Sequence, residues 1–295
     1  MYFILIIDKM EVFEKADTVS KFIDKLKAEG KKIGFVPTMG ALHRGHLSLI
    51  EAARKDNDIV VASIFVNPTQ FNNPNDLKNY PRNLDRDLKL LEDNNCDLVF
   101  TPSVSEIYPD ENSKKSEYHF GKIVKVMEGK FRPGHFDGVA NVVSRLFKII
   151  KPDNAYFGQK DFQQYILIKT LADKYLSDLH IQVHRCPIIR EKDGLAMSSR
   201  NVLLNPEQRK SSALIAKTLF WAKDNYQKYT VDELKKQIAD KINADKNLKI
   251  EYIEFVSDPE LDEISNWDSE QKIVACIAVQ VGDVRLIDNI YLSLS

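Results

Sequence analysis

The sequence has few of the residues that mark disulfide-bonded, metal-binding or membrane proteins. Its three cysteines, Cys96, Cys186 and Cys276, lie far apart and form no CxxC pair. This spacing argues against a disulfide framework or a cysteine zinc site and favours a reducing cytoplasm. The apolar run Tyr2 to Ile7 is too short for a signal peptide or a membrane span, and Met10 offers a second candidate start.

The chain also lacks an excess of charge of either sign. Its 42 Lys and Arg residues against 43 Asp and Glu residues leave a formal net charge of -1, so we expect no general affinity for nucleic acid or anionic membranes. Glycine is scarce, with 11 residues, so glycines that cluster beside polar residues are informative. The 43% apolar fraction is enough for one large or two ordinary globular domains.

Short apolar runs alternate with amphipathic helical patterns through the first two thirds of the chain. The patterns predict strands at 33–36, 59–66, 97–100, 155–157 and 181–183, and helices at 17–29, 46–55, 84–91, 142–150 and 161–175. Such an alternation is typical of the α/β class. It predicts a Rossmann-like, doubly wound parallel sheet that binds ligands at the carboxyl ends of its strands.

The pattern changes after about residue 205. Two helices are predicted at 206–227 and 230–243, followed by strands at 249–256, 272–281 and 284–292. This order predicts a smaller C-terminal α+β domain. With a boundary near Pro187, we expect domains at 1–187 and 188–295.

The most informative cluster is the string PTMGALHRGH at residues 37–46, between the first long strand and its helix. Gly40 and Gly45 allow close backbone approach, the helix N-terminus offers free N–H groups, and His43 and His46 add donors. The cluster therefore predicts a phosphate site, although it is neither a GxGxxG fingerprint nor a P-loop. A surface histidine pair or a partial metal site is the alternative.

Three further segments carry polar groups at strand ends or at the start of the second domain. In FVNPTQF, the neutral amides of Asn67 and Gln70 suit hydroxyl and carboxylate groups, although Asn-Pro also starts turns. Lys160 and Asp161 follow a strand, and Asp161 is also a candidate helix cap. Residues 198–200, Ser-Ser-Arg, suit phosphate oxygens but also fit a capped helix start.

These motifs together resemble the pantothenate synthetase family, within the HxGH nucleotidyltransferase superfamily. PTMGALHRGH, FVNPTQF, GQKDFQQ and GLAMSSRN match the motifs of that family in order, and FRPGHFDG at residues 131–138 also agrees. The chain departs from the family at Gln159, where relatives usually carry Glu. The resemblance runs from about Met10 to the C-terminus, but beyond residue 205 it extends only to the general architecture.

The resemblance implies a ligase of coenzyme A biosynthesis that condenses pantoate with β-alanine. ATP would be consumed through a pantoyl-adenylate intermediate, with release of pyrophosphate and AMP. The family further implies a homodimer that uses Mg²⁺. The ion would arrive with the ATP phosphates rather than in a dedicated protein site, with Asp85 or Asp87 as candidate contacts.

The family pattern also implies roles for individual residues. The expected catalytic residues are His43, His46, Lys160 and Arg200. The expected ATP-binding residues are Met39, Gly40, Ala41, Leu42, His43, Arg44, Gly45, His46, Gly158, Gln159, Lys160, Asp161, Ile189, Met197, Ser198, Ser199 and Arg200. Gln70 is expected to bind pantoate and β-alanine, Gln164 to bind pantoate and Asn67 to bind substrate, while Arg132 and His135 are expected to shape the pocket. The C-terminal domain would act as a lid.

Two other functions are compatible with parts of this pattern. Another HxGH nucleotidyltransferase would leave the nucleotide on its product and would need no amine. A non-catalytic nucleotide-binding module would keep the glycines without needing Lys160 or the Ser-Ser-Arg cluster. Dependence of AMP release on β-alanine separates the first from the ligase, and ATP binding without turnover would identify the second.

Overall fold

The computed structural model describes residues 9–114, 117–267 and 272–293. The N-terminal run Tyr2 to Ile7 lies outside the described residues. The chain forms two compact units. The N-terminal unit ends at Pro187 but leaves out Gln159–Phe162, which belong with the C-terminal unit that resumes at Ile188.

The N-terminal unit is built on a parallel sheet. Its strands are β1 (Glu11–Phe13), β2 (Ile33–Thr38), β3 (Ile59–Ile64), β4 (Leu98–Phe100), β5 (Asn154–Gly158) and β6 (Gln182–Cys186). They lie in the order β1-β4-β3-β2-β5-β6, and every paired strand is parallel to its neighbour. Outward from β2 lie β3 and then β4, and outward from β5 lies β6, while the short β1 occupies the edge beyond β4. The topological switch point therefore lies between β2 and β5, and the predicted doubly wound sheet is confirmed.

Helices cover both faces of this sheet. They are α1 (Ala16–Ala28), α2 (Arg44–Asp56), α3 (Pro74–Asn79), α4 (Leu84–Asp93), α5 (Val104–Ile107), α6 (Met127–Phe131), α7 (His135–Ile150) and α8 (Phe162–Thr170). Because successive strand residues point to opposite faces, Phe35 packs with α1 and α7 whereas Val36 packs with α2 and α4. Burial on both faces explains why the strands are continuous apolar runs.

The structure differs from the expected elements mainly where they end. The predicted strand at 59–66 stops at Ile64, and the predicted helix at 161–175 divides into α8 and a π-helical turn at Leu171–Tyr175. The edge strand β1 was not predicted, because three residues give too short a pattern to distinguish from a loop.

The C-terminal unit combines two helices with an antiparallel sheet. Its elements are α9 (Pro206–Asn225), α10 (Val231–Asn243), β7 (Leu248–Asp258), β8 (Lys272–Val281) and β9 (Val284–Tyr291), with strand order β7-β8-β9. Capping boxes start both helices, with Asn205 and Thr230 as the caps. The predicted α+β fold is confirmed. In the described ranges, no helix has the length and apolar character needed to cross a membrane.

Candidate functional site

The two histidines of the HxGH motif form the N-terminal cap of α2. His43 is the cap residue, and its Nδ1 accepts a hydrogen bond from the Gly45 N–H at 3.1 Å. His46 Nδ1 accepts the His43 N–H at 3.4 Å, and the two ring centroids lie 4.2 Å apart. The imidazoles therefore occupy the positions that Ser and Glu hold in an ordinary capping box.

This arrangement determines where each neutral imidazole carries its proton. Because Nδ1 of each ring accepts a backbone N–H, the neutral tautomer has its hydrogen on Nε2. Both rings thus present an N–H donor at the positive end of α2. The geometry suits hydrogen bonding to an anion rather than proton abstraction.

A buried carboxylate stabilises the loop before α2. Asp87, on α4, is 1% exposed, and its two oxygens accept the N–H groups of Ala41 and Leu42 at 2.7 and 2.8 Å. Gly40 and Ala41 both have positive φ, at 77° and 50°. This conformation is unfavourable for alanine but not for glycine, so the hydrogen bond from Asp87 stabilises the backbone at Ala41. Asp87 is thereby committed to the loop, whereas Asp85 on the same helix is exposed.

Arg44, a predicted ATP-binding residue, has a partner on its own helix. Its guanidinium forms two hydrogen bonds with the Glu51 carboxylate, at 2.5 and 3.0 Å. This contact lowers the pKa of Glu51 below its ordinary value. Both side chains are about half exposed, so the pair contributes little to stability.

The FVNPTQF segment brings Gln70 next to the HxGH loop. Gln70 Nε2 lies 2.7 Å from Met39 Sδ, and Gln70 Oε1 accepts a hydrogen bond from Asn67 Nδ2 at 3.2 Å. Asn67 also donates to the Gly138 carbonyl and accepts from Thr69 and from the Tyr108 hydroxyl. Asn67 is only 1% exposed, so its visible role is to orient Gln70.

The N-terminal end of α7 supports the same segment. His135 Nδ1 lies 2.8 Å from the Gln70 carbonyl oxygen. At Gly138, a Cβ atom would lie 2.5 Å from the Thr69 carbonyl oxygen, so the close approach of helix and segment requires glycine. His135 therefore contributes to this site through the backbone of Gln70.

The remaining predicted pocket residues of this unit are Gln164 and Arg132. Gln164 is half-buried in the first turn of α8. Its neighbour Gln163 is buried, and its Nε2 donates to the carbonyls of Ile123 and Val126, just before α6. Gln163 Oε1 accepts the N–H of Glu128 in the first turn of α6. Arg132 forms an ion pair with Glu128 at 3.4 Å.

In the C-terminal unit, the segment with Lys160 lies against strand β9. Asn289 Nδ2 donates to the carbonyls of Gln159 and Lys160, at 2.9 and 3.0 Å, and Asn289 Oδ1 accepts from Gln159 Nε2 at 3.2 Å. The Lys160 side chain is 19% exposed, and its Nζ lies 3.7 Å from Asp161 Oδ1.

The Ser-Ser-Arg segment of the same unit follows a short hairpin that is also tied to β9. The Arg190 guanidinium forms a bidentate ion pair with buried Asp288, at 2.6 and 3.0 Å. Met197 N–H donates to the Ile189 carbonyl, which pairs the two predicted ATP-binding residues. Ser198 accepts the Arg200 N–H and caps a short 3₁₀ helix, Ser199–Leu203.

Within each unit, several predicted site residues are thus brought together, and some contributors were not predicted. In the N-terminal unit, Met39 contacts Gln70, and His43 contacts His46. Asp87 was considered only as a metal contact, and Tyr108, Asp288 and Asn289 were not considered. Sequence did hold one signal for the last two, because a consecutive Asp-Asn pair interrupts the apolar strand Val284–Tyr291 and buried polar groups need partners.

The described side chains suit a metal ion that is bound mainly by phosphate oxygens and water rather than by the protein. The described ranges contain no group of three or more His, Cys, Asp or Glu side chains arranged to bind a metal ion. Mg²⁺ favours phosphate oxygens and water with one or two carboxylates, and the exposed Asp85 offers such a carboxylate.

A doubly wound parallel sheet, with a helix N-terminus and paired imidazoles after a strand at its switch point, defines a nucleotide-binding α/β protein. The family model described as pantoate-beta-alanine ligase matches residues 11–291. The chain therefore belongs to the pantoate–β-alanine ligase family, as its motifs predict.

Curated relatives and solved structures agree with this assignment. The chain is 48% identical over 282 residues to a pantothenate synthetase of Azobacteroides pseudotrichonymphae, covering 95% of this chain and 99% of the relative. A pantothenate synthetase structure from Thermus thermophilus has a TM-score of 0.88 at 37% identity and covers 96% of this chain and 99% of its own. A ligase from Francisella tularensis, solved in complex with beta-gamma ATP and beta-alanine, has a TM-score of 0.80 at 37% identity, with 97% and 99% covered.

Proposed function

We propose that this protein joins pantoate to β-alanine at the expense of ATP, through pantoyl adenylate, and releases pyrophosphate and AMP. Family membership over nearly the whole chain supports this function. The structural observation that carries it is the contact of Gln70 with Met39, which joins the FVNPTQF segment to the HxGH loop. A candidate acid-binding amide thus lies beside the candidate phosphate site.

Adenylation needs charge stabilisation rather than a general base. A carboxylic acid with an ordinary pKa near 4 is already ionised at neutral pH, so pantoate can attack the α-phosphorus directly. Negative charge then grows on the phosphate oxygens and on the departing pyrophosphate. His43 and His46 supply N–H donors at the N-terminus of α2, and in this proposal His46 acts as a hydrogen-bond or proton donor.

We assign the remaining phosphate contacts to the C-terminal unit. Lys160 supplies a positive charge, Arg200 supplies a guanidinium fork, and Ser198 and Ser199 supply hydroxyl donors. Gln159, Asp161, Ile189 and Met197 also belong to the proposed nucleotide-binding set of this unit. Gly158, at the end of β5, is the member that precedes Gln159 in the chain. Gln159 carries no charge, so its contribution differs from that of the Glu that relatives usually have.

Substrate selection falls to neutral amides. Gln70 and Gln164 bind pantoate in this proposal, and Gln70 also borders the β-alanine site. Asn67 contributes by orienting Gln70, because its own amide is already engaged with Gly138 and Tyr108. Neutral amides suit a hydroxy acid because they bind hydroxyl and carboxylate groups without introducing a charge.

When bound with ATP, Mg²⁺ neutralises phosphate charge. We propose Asp85 as a protein contact for the ion, since both oxygens of Asp87 already accept loop N–H groups. In the second step the β-alanine amine attacks the adenylate and AMP leaves. We assign the amine proton to solvent or to a phosphate oxygen. We further propose that the protein acts as a homodimer in the cytoplasm.

The decisive experiment measures pyrophosphate and AMP release by the purified protein from MgATP. We expect no net AMP release with pantoate alone and sustained release, with pantothenate as product, once β-alanine is added. AMP release that is indifferent to β-alanine would refute the ligase proposal. Transfer of the nucleotide to a stable product would point to a different HxGH nucleotidyltransferase.

Substitution of His46 or Lys160 tests the assigned phosphate contacts. His46→Ala and Lys160→Ala should each lower pantoate-dependent pyrophosphate release on the order of 100- to 1,000-fold, because each removes a preorganised donor. His119→Ala and Lys210→Ala, at exposed positions, serve as matched controls and should keep the original rate. A folded His46→Ala or Lys160→Ala protein with the rate of its control would remove that residue from the mechanism.

A further inference from the structure

We propose that Asp288 and Asn289, adjacent on strand β9, are positioning residues that hold two phosphate-binding segments of the C-terminal unit in place. The two segments are Gln159–Asp161, with Lys160, and residues 189–200, with the Ser-Ser-Arg cluster. This inference rests on the proposed function, because it assigns a purpose to contacts with residues that are expected to bind ATP.

Asn289 lies on the face of β9 that the Lys160 segment covers. Side chains alternate along a strand, so Asn289 shares its face with Tyr291, whose ring packs edge-on to Phe162 at 6.5 Å. Asn289 is only 2% exposed, and its amide contacts two consecutive carbonyls, those of Gln159 and Lys160. The backbone of Lys160 is therefore anchored directly to the sheet.

The chemistry of these contacts is specific to a carboxamide. Two N–H donors meet two carbonyl acceptors, while the oxygen meets the Nε2 donor of Gln159. An aspartate with the same side-chain conformation would place a negatively charged oxygen next to the two carbonyl oxygens. An apolar residue would leave both carbonyls without this partner in a buried setting, which is costly.

Asp288 points to the opposite face of β9, where Leu286 and Ile290 pack in the core. Asp288 is 3% exposed, and burial raises the pKa of its carboxyl group, while the bidentate contact with Arg190 favours the charged form. Arg190 also donates to the Gly194 carbonyl at 3.0 Å and so fixes the hairpin that precedes Met197. Breaking this pair would leave a buried charge uncompensated.

Asp288 and Asn289 thus bind both segments to the same strand, β9. A strand paired in a sheet, as β9 is with β8, is more rigid than a loop, and preorganised donors require such a support. Displacement of a reacting or binding group by about 1 Å can lower a rate on the order of 100-fold. Loss of the Asn289 contacts should therefore lower the use of ATP more than the binding of pantoate.

Asn289→Asp tests this inference with minimal change in shape. We expect kcat/KM for ATP to fall on the order of 10- to 100-fold, with an unchanged KM for pantoate. Asn225→Asp is the matched control. Asn225 donates to the Trp221 carbonyl at 2.8 Å in the same unit, so its substitution also sets a carboxylate against a backbone carbonyl. Equal kinetic losses in the two variants, or no loss in Asn289→Asp, would overturn the proposal.

A double-mutant cycle with Lys160→Ala separates positioning from general damage. If Asn289 acts through Lys160, Asn289→Asp should cause little further loss once Lys160 is absent. A full additional loss would show that Asn289 acts by another route and would overturn the inference.

Hydrogen exchange provides a readout that does not depend on catalysis. We expect faster exchange of the amides of Gln159–Phe162 in Asn289→Asp but not in Asn225→Asp. Faster exchange combined with a fully active Lys160→Ala enzyme would contradict the proposed function of Lys160 while upholding the contact. Unchanged exchange would overturn the positioning role itself.

Discussion

At the residue scale, the geometry of the HxGH histidines allows both a structural role and the proposed chemical role. Each ring uses Nδ1 to cap α2, which leaves the Nε2–H tautomer as a donor. The structural explanation of the motif, a helix start, and the functional explanation, a phosphate site, are therefore compatible. The same holds for Asn67 and Ser198, which cap short 3₁₀ turns beside residues of the candidate site.

Asp87→Asn tests whether the buried carboxylate maintains the HxGH loop. Asparagine keeps one acceptor but turns an N–H donor toward a backbone N–H, so one loop hydrogen bond is lost. We expect a loss of about 1–3 kcal/mol in the free energy of unfolding. Pantoate-dependent pyrophosphate release should fall on the order of 10- to 100-fold as the donors move. Urea unfolding and the release assay measure the two effects.

The control for this substitution lies on the same helix. Asp93 is exposed near the end of α4 and forms an ion pair with Lys89, so Asp93→Asn should leave the release rate unchanged. If Asp87→Asn lost stability but retained the full rate, Asp87 would be a structural residue without influence on the site.

At the scale of elements, the position of the FVNPTQF segment depends on how α7 packs against it. Asn67 donates to the Gly138 carbonyl, and His135 contacts the Gln70 carbonyl. The segment follows β3 without being part of the sheet, so these helix contacts support its position. They explain why the FRPGHFDG and FVNPTQF motifs occur together although they are far apart in sequence.

Gly138→Ala should disturb this contact specifically. The new methyl group would lie 2.5 Å from the Thr69 carbonyl oxygen, so the segment must shift. Overpacking of this kind costs about 1–3 kcal/mol in stability. Because Gln70 moves with the segment, we also expect a higher KM for pantoate, which steady-state kinetics would measure.

Gly34→Ala provides a matched comparison. A Cβ at Gly34 would lie 2.5 Å from the Asn57 side chain, near the amino end of β2 and thus at the other edge of the sheet. It should lower stability without raising the KM for pantoate. Similar KM values in the two variants would contradict a specific role for the α7 contact.

At the scale of the whole molecule, the three cysteines are buried free thiols. Burial raises the pKa of Cys96 to about 12 and that of Cys186 to about 11. Because the thiolate is the reactive form, both groups should be unreactive at neutral pH.

Titration with an aromatic disulfide reagent checks the state of these thiols. Between pH 7 and pH 9, we expect Cys96 and Cys186 of the native protein to react slowly, since the pH stays below both raised pKa values. Unfolding in guanidinium should expose all three cysteines. The variant Ser105→Cys, at an exposed position, supplies a reactive reference. Rapid labelling of native Cys96 would contradict its burial.

The sequence determined the elements and the family because those signals are local. Helical spacing, apolar strands and capping residues act within a few positions, and each of the four motifs is a continuous string. Element ends were less well predicted, as at Ile64 and in the π turn after α8, where local patterns continue past the true end.

Only the tertiary structure decided which distant residues support those motifs. Asp87 holds Ala41 from 46 positions away, and Asn289 holds Gln159 from 130 positions away. No periodicity links such pairs, because their meeting depends on sheet order and on which side chains must satisfy buried polar groups. The motifs thus come from local chemistry, whereas their geometry comes from the packing of the complete chain.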